Sequence, residues 1–189
     1  MSPVKPAIQL SRADEKLQLA EQFEQQADEA PIPLALAQVR ETDQRRFRQV
    51  TLSGYFDPEV VVLLDNQLRN GRYGHDVLGL FHDRDAGVAV LVNRGWLAGD
   101  PSRRSLPSVP APAGQAELTA RIYVPPGEAF VLRDDDFSQL EWPLLVQTLD
   151  SEGLRALLAT KAGSALFPQQ LRLLPESPHA LRCDWPVLN

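Results

Sequence analysis

The sequence predicts an α+β fold dominated by strands: one antiparallel, barrel-like or strongly curved sheet with an N-terminal helix and one late helix. Three observations predict it. Polar and apolar residues alternate through residues 47–56 and 117–124, the pattern of half-buried strands. Short valine- and leucine-rich runs at 60–64 and 88–92 read as fully buried strands. Tight turn chemistry joins neighbouring runs, which implies antiparallel pairing.

In chain order, residues 11–28 read as a helix. Ser11 followed by Asp14 is a capping-box-like start. Ala13, Leu17, Ala20, Phe23 and Ala27 make one narrow apolar stripe, so the expectation is a surface helix laid on the sheet. Pro31 and Pro33 end it, and residues 34–39 can add a helical turn. A strand over 47–56 then meets a turn at Asp57 and Pro58, and a second strand covers 59–68. Arg69, Asn70, Gly71 and Arg72 form a hairpin turn of the Asn-Gly type. Residues 73–81 return as a strand, 83–87 turn, and 88–96 close a three-strand meander. Residues 99–114, rich in Pro, Ser and Ala, are predicted to be a long surface loop. A strand over 117–124 follows, then short strands at 130–132 and 142–149. Leu154, Leu157 and Leu158 mark a helix over 151–161 that Gly163 stops. Residues 168–174 and 180–185 are the last predicted strands. Residues 1–8 read as a linker and 9–189 as a single domain.

Composition excludes several functions. The chain of 189 residues carries 25 acidic and 19 basic side chains, a net charge of -6. That opposes phosphate-driven nucleic-acid binding and charge-led attachment to an anionic membrane. Cys183 is the only cysteine, so one chain can build neither a disulfide nor a thiolate metal site. No run approaches the ~20 apolar residues of a membrane span.

Catalytic constellations are missing from the pattern. His75, His82 and His179 have no His or Cys at ligand spacing, and His75 and Asp76 are strand neighbours that point to opposite faces. Asp134, Asp135 and Asp136 lack the glycine and distal glutamate of a calcium loop and read as a solvated turn. Phosphate-loop and nucleophile-elbow motifs are absent. Trp96, Trp142 and Trp185 read as packing residues. Arg94, at the exit of the strand over 88–96, needs a carboxylate, carbonyls or a ligand, with Asp65 the expected partner.

Asp65 and Asn66 followed by Gly71 and Gly74, then Val77, then Asn93, Arg94, Gly95 and Trp96 form a two-part motif. Together with residues 9–16 and 50–54 it resembles the Surfeit locus protein one family, the assembly factors of cytochrome c oxidase. The resemblance implies a domain held between two membrane helices, on the periplasmic side of the inner membrane (in mitochondria, the intermembrane space). It implies cytochrome c oxidase subunit I and haem a synthase as partners, and a role in haem a delivery or insertion without catalysis. The family's proposed haem ligand is a membrane-helix histidine, which none of the three histidines here matches. Residues 9–189 are therefore expected to be the excised soluble domain, with no cofactor of its own and no nucleic-acid partner. Two other functions compete with this one. One is an interaction module without a haem role that binds through residues 99–114. The other is a metal-dependent hydrolase using Asp134, Asp135 and Asp136 with His75.

Overall fold

The computed structural model describes residues 11–125, 137 and 140–185. In chain order the elements are α1 (Arg12–Ala27), β1 (Ile32–Pro33), α2 (Leu34–Gln38), α3 (Thr42–Arg45), β2 (Gln49–Arg69), β3 (Arg72–Asp83), β4 (Val88–Ala98), β5 (Gln115–Tyr123), β6 (Leu144–Val146), α4 (Glu152–Ala162) and β7 (Gln170–Leu173). The fold is α+β with strands dominant, as the alternation predicts.

The strands close on themselves. β2, β3 and β4 form the antiparallel meander, β4 pairs with β7, β7 with β5, and β5 returns to β2. The ring closes because β2 is long enough to serve two neighbours. Its first half lies against β5, from Gln49 opposite Arg121 to Tyr55 opposite Gln115. Its second half lies against β3, with Leu63 opposite Val77. The predicted turn at Asp57 and Pro58 is instead a bulge within this single strand, between Phe56 and Val61. Proline has no N–H for the ladder, and a bulge skips the pairing while bending the strand.

Pairing is mixed rather than wholly antiparallel. β7 runs parallel to β4, with Val92 opposite Leu171, and β1 and β6 run parallel to β2. The tight turns constrain only the meander. Strands that return after long connections, such as β7 after α4, are free to pair parallel.

The local turn and cap chemistry reads true. Asn70 and Gly71 both take positive φ, 52° and 74°, as the two-residue hairpin requires. The Ser11 hydroxyl accepts from the Asp14 N–H and the Asp14 carboxylate accepts from the Ser11 N–H. Ser151 caps α4 by accepting from the Leu154 N–H at 3.2 Å, and Gly163 ends it at a φ of 65°.

Two apolar clusters hold the sheet. Leu52, Phe56, Phe81, Val90, Leu118 and Leu171 belong to one. In the other, Leu154 and Leu158 of α4 pack with Val62, Leu78, Leu80 and Leu91. The α1 stripe behaves otherwise than its periodicity predicts. α1 buries no residue and Leu17 is 59% exposed. Only its C-terminal half docks, through Phe23, whose ring stands edge-on to Phe47 at 5.3 Å.

Two late strands also shrink. Residues 142–149 contribute only the three residues of β6. Residues 180–185 make one isolated bridge, Arg182 to Trp96. The predicted strand at 130–132 and the run Asp134, Asp135, Asp136 lie outside the described residues.

Candidate functional site

The two halves of the motif meet at the hairpin end of the meander, on opposite faces of β3. Asp65 anchors one face. The Tyr73 hydroxyl donates to Asp65 Oδ1 at 2.5 Å and the Gln147 amide donates to Oδ2 at 3.0 Å. His75 Nδ1 stands 3.2 Å from Oδ1, but off the line of a hydrogen bond. Arg103, from the long loop, donates to Asn66 Oδ1 at 2.9 Å and lies 4.2 Å over the Tyr73 ring. Asn66 donates in turn to Gln147 at 2.7 Å.

Electrostatics explain why this group is locked rather than reactive. Burial raises the Asp65 carboxyl, but bonds from Tyr73, Gln147 and the Asn66 backbone outweigh it and hold the pKa below 3.8. Burial lowers the His75 imidazole more than Asp65 raises it, so His75 is neutral at pH 7. Burial and the Asp65 bond both push the Tyr73 phenol up. His75 is 1% exposed, so no substrate reaches this pair. What the network does is join β2, β3, the segment just after β6 and the 99–114 loop at one point.

The other face holds Trp96. Its indole N–H donates to the Gln67 carbonyl at 2.8 Å, which lays the ring across Gly74. A Cβ on Gly74 would come within 2.4 Å of that ring and of the Leu97 carbonyl. Beside it, Asn93 donates to Asp76 Oδ2 at 3.1 Å and accepts from the Gly95 N–H at 3.1 Å. Burial raises the Asp76 carboxyl against the pull of Asn93, Arg69 and Arg172.

The residues Asn93, Arg94 and Gly95 are not a turn that ends the strand. They form a bulge inside β4, where Val77 faces Gly95 and Leu78 faces Asn93. Gly95 takes a φ of 124°, and a Cβ there would sit 2.6 Å from the Arg182 carbonyl.

The bulge corrects the expected partner of Arg94. Its Nε donates to the His179 carbonyl at 3.0 Å, not to Asp65. The Arg94 carbonyl accepts from the Leu181 N–H at 2.7 Å and from the Cys183 thiol at 3.1 Å. Residue 94 therefore stitches the C-terminal segment onto β4. Burial pushes the Cys183 thiol up to about 11, so it stays protonated.

Sequence reasoning placed Asp65 with Asn66, and Asn93 with Gly95 and Trp96, without their partners. Tyr73 and His75 were recoverable from their shared parity on β3. Arg103 and Gln147 come from distant segments, and no local pattern ties either of them to Asp65 or Asn66. Gly71 has no role beyond the hairpin, since a Cβ there would meet nothing within 4 Å.

The described residues form no multi-ligand iron site. His75 is buried against Asp65. His82 stacks on Tyr55 at 4.8 Å and stands 3.6 Å from Asp57. His179 stands edge-on to Phe56 at 6.3 Å, and no group of three His, Cys, Asp or Glu side chains suited to a metal occurs among the described residues. None of the described helices is long and apolar enough to cross a membrane.

Fold and site together define a small closed-sheet domain whose buried polar groups tie segments together. A model of the SURF1 family matches residues 9–185, and the chain belongs to that family. The family is one of assembly factors, and membership is consistent with a role in cytochrome c oxidase assembly. No curated protein matches the chain.

Proposed function

We propose that this domain assists assembly of cytochrome c oxidase at the delivery or insertion of haem a into the nascent catalytic subunit. In this reading it makes and breaks no bond. It presents a rigid surface to oxidase subunit I and haem a synthase, from the periplasmic side of the inner membrane. The iron ligand is supplied from outside residues 11–185.

The observation that carries the reading is the family match over residues 9–185. The two buried polar groups support it, because they serve rigidity: Asp65 accepts from Tyr73 and Gln147, and Asp76 accepts from Asn93 with Arg69 3.5 Å from its other oxygen.

Deletion of the gene tests it. The expected outcome is a fall in oxidase activity and in oxidase-bound haem a, restored by the complete gene. The full-length protein should co-purify with subunit I or haem a synthase. Unchanged oxidase activity and haem a content in the deletion strain would sink the proposal.

A further inference from the structure

A second feature lies on the part of the sheet formed by β5 and β7, where Arg172 stands opposite Asn93 of the Asp76 group. A cleft of about 320 Å³ opens there between the C-terminal half of α1 and the C-terminal segment. Its lining includes Phe23, Phe47, Arg121, Tyr123, Arg172 and Trp185. That volume is at the lower end of the ~300–1,000 Å³ typical of small-molecule sites.

The two arginines are direct cross-strand partners, Arg121 on β5 opposite Arg172 on β7. Like charges set opposite each other weaken a strand pair. Neither guanidinium has a carboxylate within 4.0 Å among the described residues. Some other arginines are paired with carboxylates, Arg48 with Glu29 and Arg182 with Asp184. Burial lowers the pKa of both groups, the mark of cations held partly out of water.

Contacts within the chain account for these charges only in part. Arg121 donates to the Phe47 carbonyl at 2.8 Å and lies 5.0 Å over the Phe23 ring. Arg172 lies 3.6 Å over Tyr123 and 5.0 Å over Trp185, and its Nε has no hydrogen-bond partner. Tyr123, which also hydrogen-bonds it, and then Asp76 favour the charged Arg172, and Glu176 attracts Arg121, with no carboxylate at ion-pair distance. Two facing guanidiniums at an apolar cleft, neither in an ion pair with a described carboxylate, form a receptor for one anion.

We propose that this cleft binds an amphipathic monocarboxylate, its carboxylate between Arg121 and Arg172 and its apolar body among Phe23, Phe47 and Trp185. The planar guanidinium fork matches carboxylate geometry. The aromatic walls select a hydrocarbon or ring body over a bare ion. Asp184 also lines the cleft, and its charge disfavours a ligand with a second anionic group. This site stands independently of the oxidase reading, since neither its lining nor its ligand chemistry draws on the family match.

Calorimetry and thermal shift on the complete chain test it, with decanoate below its micellar concentration as the probe. Decan-1-ol, acetate and decyl phosphate are the comparison ligands. Decanoate is expected to bind and raise Tm, because a ligand bound only by the native state stabilises it. Decan-1-ol and acetate should bind at least about tenfold more weakly, since each lacks one half of the recognised chemistry. Arg121→Gln and Arg172→Gln should each weaken decanoate binding by about tenfold or more, as expected for loss of a charge-assisted bond. Equal binding of decan-1-ol, preferred binding of decyl phosphate, or unchanged decanoate affinity in either variant would overturn the proposal. The contrast between decanoate and decan-1-ol needs no variant, so it stands even if Arg172→Gln fails to fold.

Discussion

The Trp96 indole donates to the Gln67 carbonyl at 2.8 Å, and to do so its ring must cross the backbone of Gly74. One side chain of β4 thus reaches over β3 to bond β2. Gly74 is where the crossing happens, because any Cβ there would meet the ring and the Leu97 carbonyl at 2.4 Å. Gly74→Ala is expected to destabilise the fold by about 1–3 kcal/mol, the usual cost of overpacking, read by urea denaturation. Trp96→Phe should keep the ring but strand the Gln67 carbonyl, costing about 1–3 kcal/mol by the same measurement. A wild-type midpoint for Gly74→Ala would show that the ring is free to move aside.

Arg94 and Asp65 belong to different networks, Arg94 bonding the His179 carbonyl and Asp65 bonding Tyr73 and Gln147. Arg94→Gln should cost about 1.5–3 kcal/mol, the range for a hydrogen bond to a charged group. Combined with Asp65→Asn, the two effects should add to within about 0.5 kcal/mol, as for sites without shared partners. A larger coupling energy in this double-mutant cycle would restore the ion pair that the sequence alone predicts.

His75 gives the stability a pH dependence of definite sign. Its folded pKa lies below 6.5 because burial outweighs the attraction of Asp65. The unfolded chain therefore takes up the proton first, and stability falls as pH drops through 6.5. Asp65, held below 3.8, adds a loss of the same sign in stronger acid. Asp76, raised above 3.8 by burial, works in the opposite sense, favouring the fold as pH falls toward that value. The His75 part is isolated by comparison with His75→Gln. Wild type should lose stability more steeply between about pH 7 and pH 5, by at most about 1.4 kcal/mol per pH unit for one proton. Parallel pH profiles for the two proteins would refute the assignment.

Arg103 is the clasp of the 99–114 loop. Its side chain is 57% exposed where it meets Asp65 at 3.8 Å. Arg103→Ala should therefore change global stability by less than about 1 kcal/mol, the usual value of an exposed ion pair. It should instead speed hydrogen exchange across residues 100–114, because the bond to Asn66 and the contact with Tyr73 hold the loop to the sheet. Unchanged exchange there would mean that the loop is held by other contacts.

How much of this was legible in the sequence depended on the reach of each signal. The Asn70 and Gly71 hairpin, the Ser11 cap and the Gly163 stop were readable because each involves residues a few positions apart. Asp65 stood out in the motif, but its bond from Gln147 joins segments whose distance in sequence leaves no pattern. The Arg94 partner was misread because the bulge at Gly95 turns residue 94 toward the C-terminal segment, which no periodicity records.

The sequence by itself determined the strands of the meander and the one over 117–124, the hairpin at Asn70 and Gly71, the Ser11 cap and the Gly163 stop, and membership of the family. Alternation, turn residues and caps act within one or two turns of chain, so composition in a short window is sufficient for them. Only the tertiary structure decided that Asp57 and Pro58 bend β2 instead of ending it, that β7 runs parallel to β4, and that Arg121 faces Arg172. Those outcomes depend on which closed arrangement buries both apolar clusters while satisfying the ladder hydrogen bonds. That balance is struck between residues distant in sequence, and no local window contains it.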